Sequence, residues 1–294
     1  MDKKTRRRIA GGSLVDELRH SLYLFGRNKL ALIGLVILIA MAIATIFAYQ
    51  LAPYPSAATQ TNFADRLRPP SSEHLMGTDE AGRDVLSRII IGARVSLPYA
   101  FVIMLTSMAF GMPLGLIAGM FGGKLDNLIM RLADIWIAIP QIVFALAVAA
   151  FLGPSLINSV IAIASCFWPW HARFIRAEVL HIKEETYVEV AQSIGAGRLY
   201  VAVKEVLPNA IIPYIVKITT DLGYAILLLA TLGFLGLGAQ PPTPEWGTIA
   251  GQGRTFLPEI WWISLLPGIA IFLTVLAFNA VGDGLRNILG VEEM

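Results

Sequence analysis

The chain has 294 residues, of which 56% are hydrophobic and 15% charged, and its formal net charge is +2. Soluble domains average about 45–50% apolar and about 25% charged residues, so this composition disfavours a soluble protein and indicates a membrane protein. The single cysteine, Cys166, excludes an intramolecular disulfide framework.

Six apolar runs approach the roughly 20 residues that a helix needs to cross about 30 Å of hydrocarbon. We therefore predict an all-α polytopic membrane protein with six transmembrane helices, at residues 30–51, 95–121, 128–152, 154–172, 208–238 and 259–281. The fourth run is the weakest, because "WPWHARF" interrupts it near its end. The first run is too long for a cleaved signal peptide and no small-residue cleavage pattern follows it, so we expect a retained span.

Lys and Arg residues are distributed unevenly between the two sides of this arrangement. If the N-terminus is cytoplasmic, 16 of them lie inside and 6 outside. The positive-inside rule then predicts that both termini are cytoplasmic. The expected organisation is a cytoplasmic segment 1–29, a first helix 30–51, an extracytoplasmic connection 52–94, a core 95–284 that contains a cytoplasmic loop 177–208, and a cytoplasmic tail 285–294.

The cytoplasmic loop contains the stretch "YVEVAQSIGAGRLYVAVKEVLPN", which predicts two short amphipathic helices. Thr186 and Glu189 have the spacing of a capping box, and Gly195 suits the left-handed position that closes a helix. Apolar residues follow helical spacing on both sides of the glycines, with Pro208 expected to end or kink the second run. The two stripes are Tyr187, Val190, Ala191 and Ile194, and then Leu199, Ala202, Val203 and Val206.

Helices of this length cannot span a bilayer, so their apolar stripes must be buried against lipid headgroups or against another protein. Helices that lie on a membrane surface usually carry a strongly basic polar face. Here Arg198 and Lys204 are outnumbered by acidic neighbours, which are Glu184, Glu185, Glu189 and Glu205. The balance favours a protein partner.

The same stretch resembles the cytoplasmic "EAA" loop of binding-protein-dependent ABC importer permeases. That loop reads Glu-Ala-Ala, three residues, Gly, nine residues, and then a hydrophobic-x-Leu-Pro ending. The positions that match are Glu189, Ala191, Gly195, Leu207 and Pro208. Two positions depart from it, because Val190 replaces the first Ala and Glu205 occupies the usual hydrophobic site.

Four further segments resemble the C-type permease of dipeptide and oligopeptide importers, in the expected order along the chain. They are "NKLALIGLVIL" at 28–38, "LMGTDEAGRDVLSRIIIGARVSL" at 75–97, "FLGLGAQPPTPEWG" at 234–247 and "LAFNAVGDGLR" at 276–286. The resemblance implies a type I ABC importer permease fold in a bacterial or archaeal cytoplasmic (inner) membrane. It also implies four kinds of partner: a second homologous permease, two ABC ATPase subunits or domains, an extracytoplasmic substrate-binding protein, and the lipid bilayer, with no nucleic acid.

Catalytic and metal-binding motifs are absent from the sequence. There is no G-x-x-x-x-G-K-[ST] phosphate loop, and the four histidines and one cysteine have no metal-ligand spacing. We therefore expect a non-hydrolytic subunit without a cofactor or metal of its own, with ATP and magnesium bound on the partner ATPase subunits.

Charged residues inside predicted spans are costly and usually face the interior of a bundle. Lys217 and Asp221 lie one turn apart in the fifth span, so they can form an ion pair. This pair either lines the translocation path, in contact with a zwitterionic peptide, or is purely structural. Asp134, near the start of the third span, lies close enough to the cytoplasmic surface for a partner or water. A structural role is favoured for Asp134 and for the pair.

The remaining expectations concern helix packing and the connections on the outer side. Gly111, Gly115, Gly119 and Gly122 should form a small-residue face on the second span that allows close packing. "DVLSRIIIGARVSL" could form a helix along the outer surface, and Trp246 in the Pro-rich "AQPPTPEWG" would suit an aromatic anchor at the membrane interface.

Together these features predict the permease subunit of an ATP-driven importer that moves dipeptides or oligopeptides by alternating access. Glutathione, a nickel complex or another small solute is the alternative cargo within the same family. An ATPase-independent secondary transporter or channel is a competing class, which would be favoured by inverted repeats, broken helices at midplane or ionisable residues along several spans. The sequence shows no internal repeat, and only Lys217 and Asp221 lie deep in a predicted span. A membrane scaffold without a transport role is the third class.

Overall fold

The computed structural model describes residues 25–289, and this part of the chain is built from helices and loops with one isolated β-bridge, between Thr78 and Asp84. The α-helices are α1 (Lys29–Ile46), α2 (Ala48–Leu51), α3 (Val85–Phe121), α4 (Gly123–Ile137), α5 (Gln141–Leu152), α6 (Leu156–Ile182), α7 (Thr186–Ser193), α8 (Arg198–Tyr200), α9 (Leu207–Phe234), α10 (Trp246–Gly253) and α11 (Trp262–Leu289). A π-helix, Val201–Val206, joins α8 to α9.

Four helical segments of the described part are long and apolar enough to cross a membrane. They are α1, α3, α11 and the continuous segment Arg198–Phe234. The pair α4 and α5 would be a fifth span if its two bent halves are counted together. The fourth predicted span, 154–172, lies in α6, whose 27 residues are sufficient in length but include Arg173, Arg176 and Glu178.

The third predicted span, 128–152, is wrong as a single straight helix. Its two halves, α4 and α5, meet at an angle of 85°. Pro140 stands at the break, where it precedes the first residue of α5. Proline lacks an N–H and disfavours helical backbone in the residue before it, so an uninterrupted apolar run still contains a helix end.

The second predicted span begins ten residues earlier than expected. Helix α3 runs without a break for 37 residues from Val85, so the separate surface helix expected around 85–97 is wrong. At 1.5 Å per residue, α3 is about 55 Å long and exceeds the roughly 30 Å hydrocarbon core. Asp84 starts it by accepting a hydrogen bond from the Ser87 N–H at 2.7 Å.

Close packing of α3 on α6 depends on glycine, as predicted for three of the four positions. A Cβ on Gly111 would lie 2.5 Å from the carbonyl oxygen of Trp168, and one on Gly115 would lie 2.3 Å from that of Ala172. Gly119 faces the side chain of Val179 in the same way. Gly122 is the exception, because it caps α3 with φ of 64° and has no neighbour within 4 Å of a Cβ.

The main apolar core lies where α3, α6, α9 and α11 meet, and Trp246 and Ile249 of α10 close it at one end. Helix α1 lies at the periphery, with Ala31 and Gly34 as its buried residues. Gly34 allows α1 to approach α11, since a Cβ there would lie 2.9 Å from the carbonyl oxygen of Ala277.

Candidate coupling surface and intramembrane polar cluster

Helix α7 follows α6 after a short turn and has a different cap from the one predicted. The N-cap residue is Glu185, and no side chain of α7 makes a capping hydrogen bond. Thr186 therefore lies inside the first turn, and the predicted capping box with Glu189 is wrong. The shift by one residue follows from the turn, in which the Glu185 N–H donates to the carbonyl oxygen of Ile182 at 3.0 Å.

Gly195 ends this helix in the left-handed conformation, with φ of 91°. Its N–H donates to the carbonyl oxygen of Gln192, and the Ala196 N–H donates to that of Ala191. These two hydrogen bonds are the Schellman arrangement, which satisfies carbonyl groups that would otherwise be free at a helix end. The predicted conformational role of Gly195 is confirmed.

The second predicted short helix is instead the first part of a long one. Helix α8, the π-helix and α9 are continuous, so Pro208 does not end the run. Pro208 lies in the first turn of α9, directly after the π-helix ends. In the π-helix the Leu207 N–H donates to the carbonyl oxygen of Ala202, five residues back.

The apolar residues of this region divide into a buried set and an exposed set. Val188, Val201 and Val206 are buried against Ile175, Val179 and Ile182 of α6. Large apolar side chains on the other side remain exposed, with Ile194 at 81% and Leu199 at 70% of full exposure. We call this exposed set the coupling surface; its residues are Tyr187, Val190, Ile194, Leu199, Tyr200 and Val203.

Polar groups surround the coupling surface and hold Tyr187 in place. The Asn209 side-chain N–H₂ donates to the Tyr187 hydroxyl at 3.1 Å and to the carbonyl oxygen of Glu205 at 2.7 Å. Partial burial, together with the negative charges of Glu185 and Glu205, raises the pKa of Tyr187. These contacts connect α7 to the start of α9.

Two ion pairs join α4 to α6 at the same end of the bundle. Arg176 donates two hydrogen bonds to the Asp126 carboxylate, at 2.5 and 2.7 Å. Asp134 pairs with Arg173, and both side chains are exposed. Arg173 therefore neutralises the charge of Asp134, as expected for a structural ion pair.

Lys217 and Asp221 form an ion pair in α9, with 2.8 Å between Nζ and Oδ2. The buried imidazole of His171 in α6 lies beside it, with Nδ1 3.9 Å from Asp221 Oδ2. The ring of Tyr214 stands perpendicular to that imidazole at a centroid distance of 5.6 Å. We call these four residues, His171, Tyr214, Lys217 and Asp221, the polar cluster.

At the opposite end of the bundle, charged residues before α3 are buried rather than exposed. Asp79 Oδ2 accepts a hydrogen bond from Arg83 Nε at 2.7 Å and lies 3.1 Å from Nη1 of the fully buried Arg88. Arg88 Nη2 also donates to Gln252 Oε1 at 3.0 Å. This network fixes the start of α3 to the end of α10.

Trp246 also lies at this end, and the prediction that it anchors the chain at a lipid interface is wrong. The indole is 1% exposed, and its Nε1–H donates to the carbonyl oxygen of Ile89 at 2.8 Å. The preceding Glu245 caps α10 by accepting hydrogen bonds from the N–H groups of Gly247 and Thr248. Burial raises the pKa of Glu245, and the hydrogen bonds that its carboxylate accepts oppose that rise.

The chain matches a known family of transport proteins. The family model described as "Binding-protein-dependent transport system inner membrane component" matches residues 111–290, which is more than half of the chain. This chain belongs to that family. A second model, the N-terminal TM domain of oligopeptide transport permease C, matches residues 18–70 of this transport component.

The transport component is also similar to named peptide and glutathione permeases over nearly its whole length. It is 43% identical to the dipeptide transport system permease protein DppC of Alkalihalophilus pseudofirmus, covering 94% of this chain and 90% of that protein. Identity to DppC of Haemophilus influenzae is 44%, with 92% and 94% covered. The glutathione transport system permease protein GsiD of Pectobacterium atrosepticum is 42% identical, with 87% and 84% covered.

A solved structure gives the fold of the transport component. A chain of the inward-facing MetNI methionine ABC transporter superposes with a TM-score of 0.56 at 20% identity, covering 70% of this chain and 96% of that one. The predicted C-type permease resemblance and the all-α type I ABC importer permease fold are therefore confirmed. The protein is a multi-pass inner membrane protein.

Sequence reasoning did not find His171 and Tyr214 as members of the polar cluster. The one available signal was that "WPWHARF" places a histidine in a predicted span. Its proximity to Asp221 depends on how α6 packs against α9, which periodicity within one helix does not reveal. The assigned roles of Glu189, Ala191, Gly195, Leu207 and Pro208 in ATPase coupling, and of Lys217 and Asp221 in the path, stay predictions.

Proposed function

We propose that this protein is the membrane permease subunit of an ATP-driven importer for dipeptides or short oligopeptides. Membership of the transport family and the names of the DppC relatives support the peptide cargo. The observation that carries the mechanism is the coupling surface, an apolar patch on two helical segments that residues 25–289 leave uncovered.

The coupling surface has the properties of a protein-docking site. Its inner side is fixed by Val188, Val201 and Val206, so the exposed side chains are presented on a rigid base. Contiguous exposed apolar residues rimmed by polar groups are typical of interaction sites. The excess of glutamate around them disfavours anionic lipid headgroups as the partner.

The proposed occupant of the coupling surface is an ABC ATPase subunit on a separate chain, because this sequence has no phosphate loop. ATP and magnesium bind there, and this chain is non-hydrolytic. A second homologous permease completes the path at the interface between the two permeases, and an extracytoplasmic binding protein delivers the peptide. Closure of two ATPase domains moves the coupling surface and switches the path between outward-open and inward-open states.

The proposed orientation places both termini and the coupling surface in the cytoplasm of a bacterium or archaeon. The excess of Lys and Arg on that side, 16 against 6, supports it. Arg173 and Arg176 of α6 lie on the same side and pair with carboxylates of α4.

The experiment that tests this function is reconstitution of the complete complex, with both permeases, the ATPases and the binding protein, in proteoliposomes. We expect a labelled dipeptide to accumulate in the lumen of vesicles whose ATPases face the lumen when ATP is enclosed there. No accumulation is expected when a non-hydrolysable analogue replaces ATP. Glutathione serves as the competing cargo because of the GsiD relative. Accumulation that needs an ion gradient but no ATP, or accumulation of glutathione without that of any dipeptide, would contradict the proposal.

A further inference from the structure

Three buried polar atoms of the polar cluster lack a hydrogen-bond partner in the described chain. They are Nδ1 and Nε2 of His171 and the hydroxyl oxygen of Tyr214. His171 is fully buried and Tyr214 is 1% exposed. Leaving such a group unsatisfied costs about 1–3 kcal/mol, so a cluster with three of them is expensive unless it has another use.

The ion pair beside these atoms is more accessible than they are. The side chain of Lys217 is 22% exposed and that of Asp221 is 16% exposed. Asp221 therefore lies between two basic groups, the ammonium of the partly exposed Lys217 at 2.8 Å and the buried imidazole of His171 at 3.9 Å. If Lys217 moved away, His171 would be in place to donate a hydrogen bond to the carboxylate after a shift of about 1 Å.

Lys217 also lies on a polar line along α9. Tyr224 and Thr231 follow it at intervals of seven residues, which places the three on one face of the helix. Thr231 lines a groove of about 480 Å³ between α9, α10 and α11, whose walls include Ser264, Gly268 and Phe272. Binding sites for small molecules are typically about 300–1,000 Å³, so this groove is large enough for a small peptide.

Polar side chains that are only partly covered by their own chain are unfavourable against lipid, so this face of α9 requires water or another protein opposite it. The candidate route is this face of α9, which runs from Thr231 in the groove through the exposed Tyr224 to the partly exposed Lys217. A chain that transports peptides has a use for a cation on that route, since every unmodified peptide carries a terminal carboxylate.

We infer that Lys217 binds the terminal carboxylate of the peptide during translocation, while His171 takes over Asp221. This assignment rests on the proposed function and adds a substrate contact to it. A free lysine ammonium offers three donors to a carboxylate. The exchange of partners keeps the Asp221 carboxylate hydrogen-bonded, which explains why an imidazole with no partner of its own is buried beside an ion pair that is already formed.

The test compares two cargoes that the wild-type complex transports, a dipeptide and its C-terminal amide, in reconstituted complexes. Each variant's uptake rate is divided by the wild-type rate for the same cargo, which cancels the selectivity of the binding protein. We expect Lys217→Met to lower uptake of the free acid by about tenfold or more, as for loss of a charge-assisted hydrogen bond, with a much smaller effect on the amide. Lys217→Arg should retain most of the uptake.

The double variant K217M/D221N separates this role from a purely structural pair. It removes both charges, so neither is left buried and unpaired. A structural pair predicts that the double variant regains wild-type assembly and uptake of both cargoes, and that result would overturn the inference. We expect the double variant to assemble with its ATPases. Its uptake of the free acid, relative to wild type, should still be lower than its relative uptake of the amide. Lys124→Met, at the exposed start of α4, is the matched control for the loss of a lysine.

A second measurement tests the route without using the amide. Cys166 is the one cysteine of the chain, so a Cys166→Ala background is free of thiols. In the assembled complex we expect Tyr224→Cys to react with a charged, water-soluble thiol reagent and the dipeptide to slow the reaction. Ile215→Cys, exposed on the opposite face of α9, should not react. An unreactive Tyr224→Cys in a complex that still imports dipeptide would refute the route, whereas failure of the wild-type complex to import any peptide would refute the proposed function instead.

Discussion

Gly195 and Gly197 offer a matched pair of positions for testing the coupling surface. Among residues 25–289, no atom beyond the adjacent residues lies within 4 Å of the place that a Cβ would occupy on either glycine, so a serine fits both positions sterically. They differ in backbone conformation, because φ is +91° at Gly195 and −65° at Gly197. The same substitution therefore separates backbone strain from side-chain bulk.

Gly195→Ser should destabilise the turn by about 1–2 kcal/mol, the cost of holding an L-residue in left-handed backbone. Gly197 occupies the N-cap of α8, where serine is preferred, so Gly197→Ser should be neutral or stabilising by a few tenths of a kcal/mol. If the ATPase binds the native turn, the equilibrium constant for that turn falls about 5- to 30-fold in Gly195→Ser, and this factor is the upper limit for the fall in apparent affinity.

The assay is ATPase binding to the purified permease complex in nanodiscs, together with dipeptide uptake by the reconstituted importer. Immunoblots of the membrane fraction control for the amount of each variant. We expect weaker binding and slower uptake for Gly195→Ser, and wild-type values for Gly197→Ser. Equal behaviour of the two variants, in either direction, would refute the claim that the conformation of Gly195 presents the coupling surface.

Three further predictions concern buried and exposed positions. Ile194→Asp, on the exposed coupling surface, should abolish ATPase binding without lowering the melting temperature. Val188→Asp, beneath that surface, should lower the amount of folded protein, because it buries a charge. Co-purification with the ATPase and thermal unfolding in detergent distinguish the two effects. Trp246→Phe removes the hydrogen bond to the Ile89 carbonyl and should cost about 1–3 kcal/mol, measured as a lower melting temperature, and an unchanged value would contradict the role of that bond. Because burial raises the pKa of Glu245 above its ordinary value of 4.5, wild-type stability should decline as the pH rises from about 4.5 through the raised pKa. The melting temperature of Glu245→Gln should not decline across this pH range. If wild type and variant show the same dependence of melting temperature on pH, the prediction is refuted.

The sequence alone predicts those features that depend on neighbouring residues. Apolar run length placed most spans, because it reports directly on the cost of exposing a helix to water or to lipid. The conformation of Gly195 could be predicted because a helix often ends in a residue with positive φ. Glycine adopts that conformation most readily, so a glycine at a predicted helix end indicates it. Gly111, Gly115 and Gly119 share one helical face, and the structure uses that face for close packing on α6.

The features that sequence reasoning missed depend on contacts between distant segments, or on the choice between two helix geometries that the same sequence pattern allows. Run length over 128–152 cannot distinguish a straight span from the 85° bend at Pro140, because the two contain the same apolar residues. Trp246 has the chemistry of an interface anchor, and its burial follows only from the position of Ile89 on α3. His171 gains its significance from Asp221, 50 positions along the chain.

The continuity of α8, the π-helix and α9 has a mechanical consequence that two separate short helices would not have. Leu199 on the coupling surface and Lys217 in the polar cluster belong to one helical segment, about 27 Å apart along its axis at 1.5 Å per residue. In the proposed mechanism, a displacement of the coupling surface is carried along this segment to the face of α9 that bears Lys217, Tyr224 and Thr231. The π-helix lies between the two ends, and such segments are frequent at functional sites. The coupling surface and the polar cluster are therefore expected to respond to the same motion, and the ATPase would change the environment of Lys217 without contacting it.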